Sequence, residues 1–312
     1  MARTILVTGG AGFVGSCLVD KLIEDKDNFV VIVDNLSTGN IRRLPEGNQG
    51  NWKFIKCNCN EYRDIAAVMT SYKFDYVFHY AAVVGVKRTL ENPVSVLKDI
   101  QGIKYVLDLS KNTGVKRVFF SSSSEVYGEP FEHPQNEMTT PLNSRLPYAV
   151  VKNVGEAFLR SYKQEFDLDY TIFRFFNTYG PKQSSDFVMT RFIRAAMGNQ
   201  KITVYGDGLQ TRTFCFRQDN VDACVSTLYD NMYLNDTVNI GSDYEVTILE
   251  LAQLIIKATN SKSEIVHLPP LKEGDMTRRK PDIAKMKQLL GRPMITIEEG
   301  IRRTIESGQY NY

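Results

Sequence analysis

Through the first half of the chain, short apolar runs alternate with stretches whose apolar residues recur at helical spacing. RTILVT (3–8), VVIVD (30–34), WKFIKC (52–57), DYVFHYAA (75–82) and KRVFFSSS (116–123) read as strands. Between them, Phe13 to Glu24, 61–72 and 93–112 carry helical patterns. Strands alternating with helices predict a parallel sheet covered on both faces and joined by right-handed crossovers, an α/β doubly wound fold of Rossmann type.

After about residue 178 the rhythm changes. FVMTRFIRAAMG (187–198) is an amphipathic helix, KITVYG (201–206) a strand, NVDACVSTLYDNM (220–232) a helix and TVNIG (237–241) a strand. ILELAQLIIKATN (248–260) predicts a helix capped by Thr247, and a closing helix falls near 298–308 after a proline-rich passage. The pattern predicts a Rossmann domain over 1–177 that carries the catalytic residues, and a smaller substrate-binding domain over 178–312, with segments near 210–262 returning to the first.

Composition narrows the function classes. The 38 basic residues are offset by 36 acidic ones for a net charge of +2, with no long single-sign block, which argues against nucleic acid as a partner. No charge-free apolar stretch is long enough to span a bilayer, and the first apolar run, broken by glycines, reads as mature structure rather than a leader. Cysteines at 17, 57, 59, 215 and 224 form no framework, so reduced thiols and a cytoplasmic location are expected. Cys57-x-Cys59 is too close for a zinc knuckle, and no metal is expected.

Two constellations carry chemistry. TGGAGFVG follows the first strand and supplies Gly9, Gly12 and Gly15, whose spacing suits a tight turn, close backbone approach and a pyrophosphate at a helix N-terminus. Asp34 ends the next strand, where a carboxylate accepts ribose hydroxyls and repels a 2′-phosphate, so NAD is preferred to NADP. The GK[ST] ending of a Walker loop is missing. The second constellation is Tyr148 and Lys152, four apart on one helix face, with Ser123 at the end of the fifth strand. A nearby ammonium favours the phenolate, so Tyr148 can take a proton from a sugar hydroxyl while the adjacent carbon is oxidised. The four serines 121–124 and Glu125 thus lie at a strand's carboxyl end, where such sheets bind ligands.

In order and separation, TGGAGFVG, VDNLSTG, HYAA, SSSSEVYG, YAVVK, RFFNTYGP, VYGDGLQTRTF and RRKPDI resemble the extended branch of the short-chain dehydrogenase/reductase superfamily, nucleotide-sugar group. The resemblance implies a bound NAD that oxidises the sugar at C4 and is later reduced back. It makes Tyr148 the base, Lys152 its orienter, Ser123 a proton relay and Glu125 a candidate acid or base, and it adds Phe13, Val14, Asn35 and Ala81 to the cofactor residues. Ser124, Asn177, Thr203, Tyr205, Arg212 and Arg278 match substrate positions, the two arginines at the diphosphate. The partner implied is a nucleotide-diphosphate sugar, feeding polysaccharide synthesis, and helices at 93–112 and from 147 match a homodimer bundle, with Val106, Leu107, Phe158 and Leu159 either on that face or in the ordinary core.

The reaction is divided among subfamilies. The loop GPKQSSDFVMTRFIRAAMG looks like that of a 4-epimerase, the first choice, which needs no acid beyond the triad. Ser124-Glu125, SEVYGEPFEHPQNE and RRKPDI look like UDP-glucuronate decarboxylases, although YAVVKNVGEAF lacks their usual ending around the lysine. A 4,6-dehydratase of the dTDP-glucose type expects Asp-Glu where Ser124-Glu125 stands. A dehydrogenase that releases oxidised product and a non-enzymatic nucleotide sensor are the remaining alternatives. The family's N-x-x-G reads Asp99-Ile100-Gln101-Gly102, and its G-D after the third strand reads Cys57-Asn58.

Overall fold

The computed structural model describes residues 2–47, 50–84, 89, 91–129, 131–270 and 278–308. Asp275, Met276 and Thr277 of the motif DMTRRKPDI lie outside the described residues. Six strands build the sheet in chain order: β1 (Arg3–Thr8), β2 (Asn28–Asp34), β3 (Trp52–Lys56), β4 (Tyr76–His79), β5 (Arg117–Ser123) and β6 (Asp169–Phe175). The spatial order is β6-β5-β4-β1-β2-β3, every neighbouring pair parallel, and a seventh strand, Asp236–Ile240, lies beyond β6. Strand order therefore reverses at β1, between β2 and β4. The carboxyl ends of β1 and β4 meet there, which is where such sheets open a ligand crevice.

Local chemistry explains the boundaries. Helix Asp99–Thr113 stops at Gly114 with φ 80°, and helix Ile248–Thr259 starts on a capping box between Thr247 and Glu250. Up to residue 175, expectation and structure differ chiefly in three elements, and beyond it the short strands Thr211–Thr213, Glu245–Thr247 and Ile265–Leu268 were not expected. The strand expected over 75–82 ends at His79, because the amides of Tyr80 and Ala81 turn to the Thr8 hydroxyl, each at 3.1 Å. The helix expected over 93–112 is two, Pro93–Leu97 and Asp99–Thr113, with Asp99 buried and tied to Asn60 and the Val83 amide. β6 was not expected, since Asp169 and Arg174 interrupt its apolar run.

The chain divides into two compact units, Met1–Gly128 with Pro141–Phe175 and Val221–Val238, and Glu129–Thr140 with Phe176–Asn220 and Asn239–Tyr312. Against the expected boundaries, the return to the first unit covers only 221–238 instead of 210–262, and 129–140 belongs to the second. Pairing accounts for the latter: Gln135 bridges Pro281, donates its amide to Lys280 O at 2.7 Å and accepts Asn239 Nδ2 at 2.9 Å. Each unit has its own apolar core, the first around Leu6, Val31, Val118 and Ile172, the second around Phe192, Val204, Leu251 and Ile301.

Val106, Leu107 and Leu159 are buried in the first core and Phe158 packs on it, so these four do not form a free dimer face. All five cysteines are buried thiols. Among the described residues, no helix is long and apolar enough to cross a membrane.

Candidate active site

The glycine turn is held by sterics that a side chain would break. Gly9 has φ +68°, and a Cβ there would sit 2.7 Å from the Ala81 backbone, while one on Gly15 would collide with the Gly9 carbonyl. Helix Phe13–Leu22 starts at Gly12 with no side-chain cap, so its first amides face outward with the positive end of the dipole. Phe13 and Val14 are half-buried in this first turn. Asp34, buried at the end of β2, accepts the Ala11 amide at 3.0 Å and the Leu36 amide at 2.8 Å. Each carboxylate oxygen keeps a lone pair for a ribose hydroxyl, and Asn35 beside it is exposed. The cradle fits a dinucleotide, with Ala81 closing against Gly9 and no room for a larger residue.

The four serines divide between two tasks. Ser121 Oγ reaches the His79 carbonyl at 3.3 Å and accepts Lys152 Nζ at 3.4 Å, and Ser122 Oγ donates to Glu156 at 2.7 Å. Both are supports. Ser123 accepts the Glu125 amide at 3.2 Å and hydrogen-bonds the Tyr148 side chain, which favours the phenolate. Ser124 is buried beside them and Glu125 half-buried. Tyr148 is nonetheless pushed up overall, first by burial and then by the negative charge of Glu125. Lys152 lies 4.9 Å from the Phe120 ring centre and 5.8 Å from that of Tyr148, and burial pulls it down to about 8 against a smaller opposing effect of Asp99. The sequence triad thus converges.

Several residues that matter here escaped the sequence reading. The Thr8 hydroxyl accepts the amides of Tyr80 and Ala81, so its proton goes to His79 Nδ1 at 2.9 Å and Nε2 carries the ring hydrogen. Burial, with Lys152 nearby, holds His79 down at about 3, so it is neutral. Glu156, one turn past Lys152, pairs with Arg174 of β6 through bonds of 2.8 and 2.7 Å, and Arg174 reaches the Tyr127 hydroxyl at 2.9 Å. This buried network ties the Pro147–Phe166 helix to β5, β6 and the turn after Glu125. The available signals were the i, i+4 spacing of Lys152 and Glu156 and an arginine inside an apolar run.

The second unit holds the remaining sequence-assigned residues on two strand pairs. Thr203 and Tyr205 are half-buried on strand Ile202–Tyr205, which runs parallel to Ile265–Leu268, and the Arg191 guanidinium lies 5.9 Å from the Tyr205 ring. Arg212 lies on Thr211–Thr213, antiparallel to Glu245–Thr247, and Asn177 Nδ2 donates to Thr213 O at 3.2 Å. Arg212 is buried opposite Val246, whereas Arg278 forks onto Glu245 on the other face of that ribbon. The two arginines are not brought together.

Comparison with known proteins agrees with this arrangement. The model of the NAD dependent epimerase/dehydratase family matches residues 5–241. UDP-glucuronic acid decarboxylase 1 of Danio rerio is 37% identical over 314 residues, covering 97% of this chain and 72% of that one. A UDP-N-acetyl-alpha-D-glucosaminuronate decarboxylase of Bacillus cytotoxicus is 35% identical over 320 residues, covering 98% of each. The crystal structure of a UDP-glucose 4-epimerase from Thermotoga maritima with UDP-glucose superposes with a TM-score of 0.91 at 32% identity, over 99% of both chains. With a glycine cradle that fits its cofactor and a family model spanning most of its length, the chain belongs to the NAD dependent epimerase/dehydratase family of nucleotide-sugar enzymes.

Proposed function

We propose that the chain decarboxylates a nucleoside-diphosphate uronate, with UDP as the nucleotide, through a 4-keto sugar. The observation that carries this reading is Glu125: its carboxylate stands close enough to Tyr148 to raise the phenol. A 4-epimerase has no proton to move beyond the one that Tyr148 and Ser123 handle, so it has no task for a carboxylate here. A decarboxylase has a use for it, because loss of carbon dioxide from C5 leaves an enolate that must be protonated. The named relatives at 37% and 35% identity support the same choice, which reverses the order reached from sequence alone.

Gly9, Gly12, Gly15, Asp34 and Ala81 hold the cofactor, with Phe13, Val14 and Asn35 beside them. Bound NAD supplies the acceptor and later the donor of the C4 hydride. Tyr148 removes the proton from the C4 hydroxyl, with Ser123 sharing it and the Lys152 charge stabilising the phenolate. The resulting ketone lies β to the C5 carboxylate, whose C–C electron pair flows toward the ketone oxygen as carbon dioxide leaves. Glu125, once it has taken up a proton from solvent, delivers it to C5, the one proton the overall decarboxylation consumes, and Tyr148 returns to O4 the proton it removed. We assign Ser124 and Asn177 to the sugar, Thr203 and Tyr205 to the nucleoside, and Arg212 and Arg278 to the diphosphate.

The test is product analysis by mass spectrometry and proton NMR with UDP-glucuronate and UDP-glucose. Release of carbon dioxide and a UDP-pentose is expected. Glu125→Gln should slow pentose formation by roughly 10²–10⁴-fold while reduced cofactor builds up, a split that shows oxidation continuing without protonation. Full turnover in that variant would remove the proposed role. The second reading, 4-epimerisation, is favoured by the overlay on the Thermotoga maritima enzyme, and predicts an inverted C4 at unchanged mass.

A homodimer remains our proposal, now on other residues. Val94, Leu97 and Val150 are exposed on the same helices. Sedimentation at micromolar concentration should give a dimer that Val94→Lys weakens, and a monomer throughout would end the proposal.

A further inference from the structure

Glu245 holds Arg278 by two bonds of one fork, Nε to Oε1 at 2.6 Å and Nη2 to Oε2 at 2.8 Å. Lys280 Nζ stands 3.1 Å from Oε2, and the Thr211 hydroxyl donates to Oε1 at 3.4 Å. A carboxylate gripped in this way presents to the guanidinium the same paired oxygens that a phosphate would. The ribbon register adds a second observation. Glu245 faces Thr213 while Arg212 faces Val246, so Glu245 draws Arg278 to the face opposite Arg212.

We propose that Glu245 is an internal competitor for the anion site of Arg278, a specificity-determining residue whose carboxylate the substrate diphosphate must displace. The inference rests on the reading that Arg278 meets the diphosphate. Displacement is feasible because the pair is accessible: the Arg278 side chain is 46% exposed and that of Glu245 19%. Exposed ion pairs are weak, and a diphosphate brings more charge than one carboxylate. Protonation does not open the pair, since Arg278 first and Lys280 after it hold Glu245 down at about 2. The groups facing it are Arg278, Lys280 and, through its sensitivity to both of these and to Glu245, His133, with Glu129 behind. A competing anion is therefore the release. The consequence is selection: a nucleoside monophosphate, with less charge to offer, is penalised more than a diphosphate.

Calorimetric titration of the NAD-loaded protein with UDP and UMP tests this on Glu245→Gln, Arg278→Gln and the double variant. We expect Glu245→Gln to bind UDP about two- to fivefold more tightly and to narrow the UDP preference over UMP, and expect the gain to vanish once Arg278 is also replaced. Unchanged or weaker binding in Glu245→Gln, with Arg278→Gln weakened as expected, overturns the competitor role and leaves the site reading in place. A gain that persists without Arg278 also overturns it, because simple removal of negative charge then accounts for the effect. If Arg278→Gln alone binds UDP normally, the diphosphate assignment itself fails, and the competitor role with it. Denaturation curves at matched conditions establish that each variant is folded.

Discussion

Lys152→Met is expected to yield a more stable protein with turnover cut by orders of magnitude. Lys152 is 2% exposed, and its ammonium is surrounded by the Phe120 and Tyr148 rings with Ser121 Oγ at 3.4 Å. Burial disfavours the charged form and brings the group down to about 8. In the unfolded chain lysine keeps its proton to about 10.4. Below pH 8 the folded protein therefore carries the full cost of a buried charge, of the order of 3 kcal/mol by linkage. Between those values the folded state sheds a proton that the unfolded state retains, so wild-type stability rises with pH. Methionine, unbranched and apolar, fills the same channel without the charge. Urea denaturation of the cofactor-free protein should show the variant ahead by a few kcal/mol at pH 7 and by less above pH 8. Turnover should drop by about 10²–10⁴-fold, because the phenolate loses its counter-charge. A destabilised variant would show that the ammonium supports the fold; an active one would remove Lys152 from the chemistry.

Glu156→Gln should produce the largest loss of stability. Glu156 is inaccessible and Arg174 2% exposed, and two bonds join them while Ser122 and Arg160 supply further donors to the carboxylate. Burial pushes Glu156 up, but these partners outweigh it and the carboxyl ends below its ordinary range. Such a group stabilises the fold above its unfolded value, near 4.3, and the contribution disappears as pH falls through the folded value. Removing the charge strands a buried guanidinium, at about 3–5 kcal/mol. The deficit relative to wild type should be present at pH 7 and shrink in acid. Joint replacement of both partners, Glu156→Leu with Arg174→Met, should recover most of it, since an apolar pair leaves no orphan charge. A single variant within about 1 kcal/mol of wild type at pH 7 would contradict this account.

What the sequence displayed and what it hid have a common cause. The first five sheet strands were legible because each is an apolar run bounded by turn chemistry. β6 was not, because its Arg174 is neutralised by a partner 18 residues earlier in the chain, a distance at which no local pattern operates. The glycine turn and the Tyr148–Lys152 pair are local motifs and could be read directly. Their electrical setting could not: that burial depresses Lys152, or that Glu125 stands against Tyr148, depends on which strands are neighbours. Two of the four serines proved to be scaffolding for the same reason, since a hydroxyl's task is decided by the carboxylate or carbonyl it faces. In the second unit, both arginines were identifiable by motif, but the pairing of Arg278 with Glu245 follows from ribbon register and is invisible in either segment alone.

The interleaving of the two units constrains how the polypeptide can acquire its structure during synthesis. The first unit draws its final piece from Val221–Val238, and the second needs Glu129–Thr140, made long before the rest of it. A nascent chain that has emerged only to residue 220 has most of the parallel sheet but lacks its outer neighbour to β6, with that strand's backbone groups open to pairing with other chains. Until Asp236–Ile240 is made, β6 is an open edge of the sheet, so the sheet cannot be completed before nearly four-fifths of the chain exists.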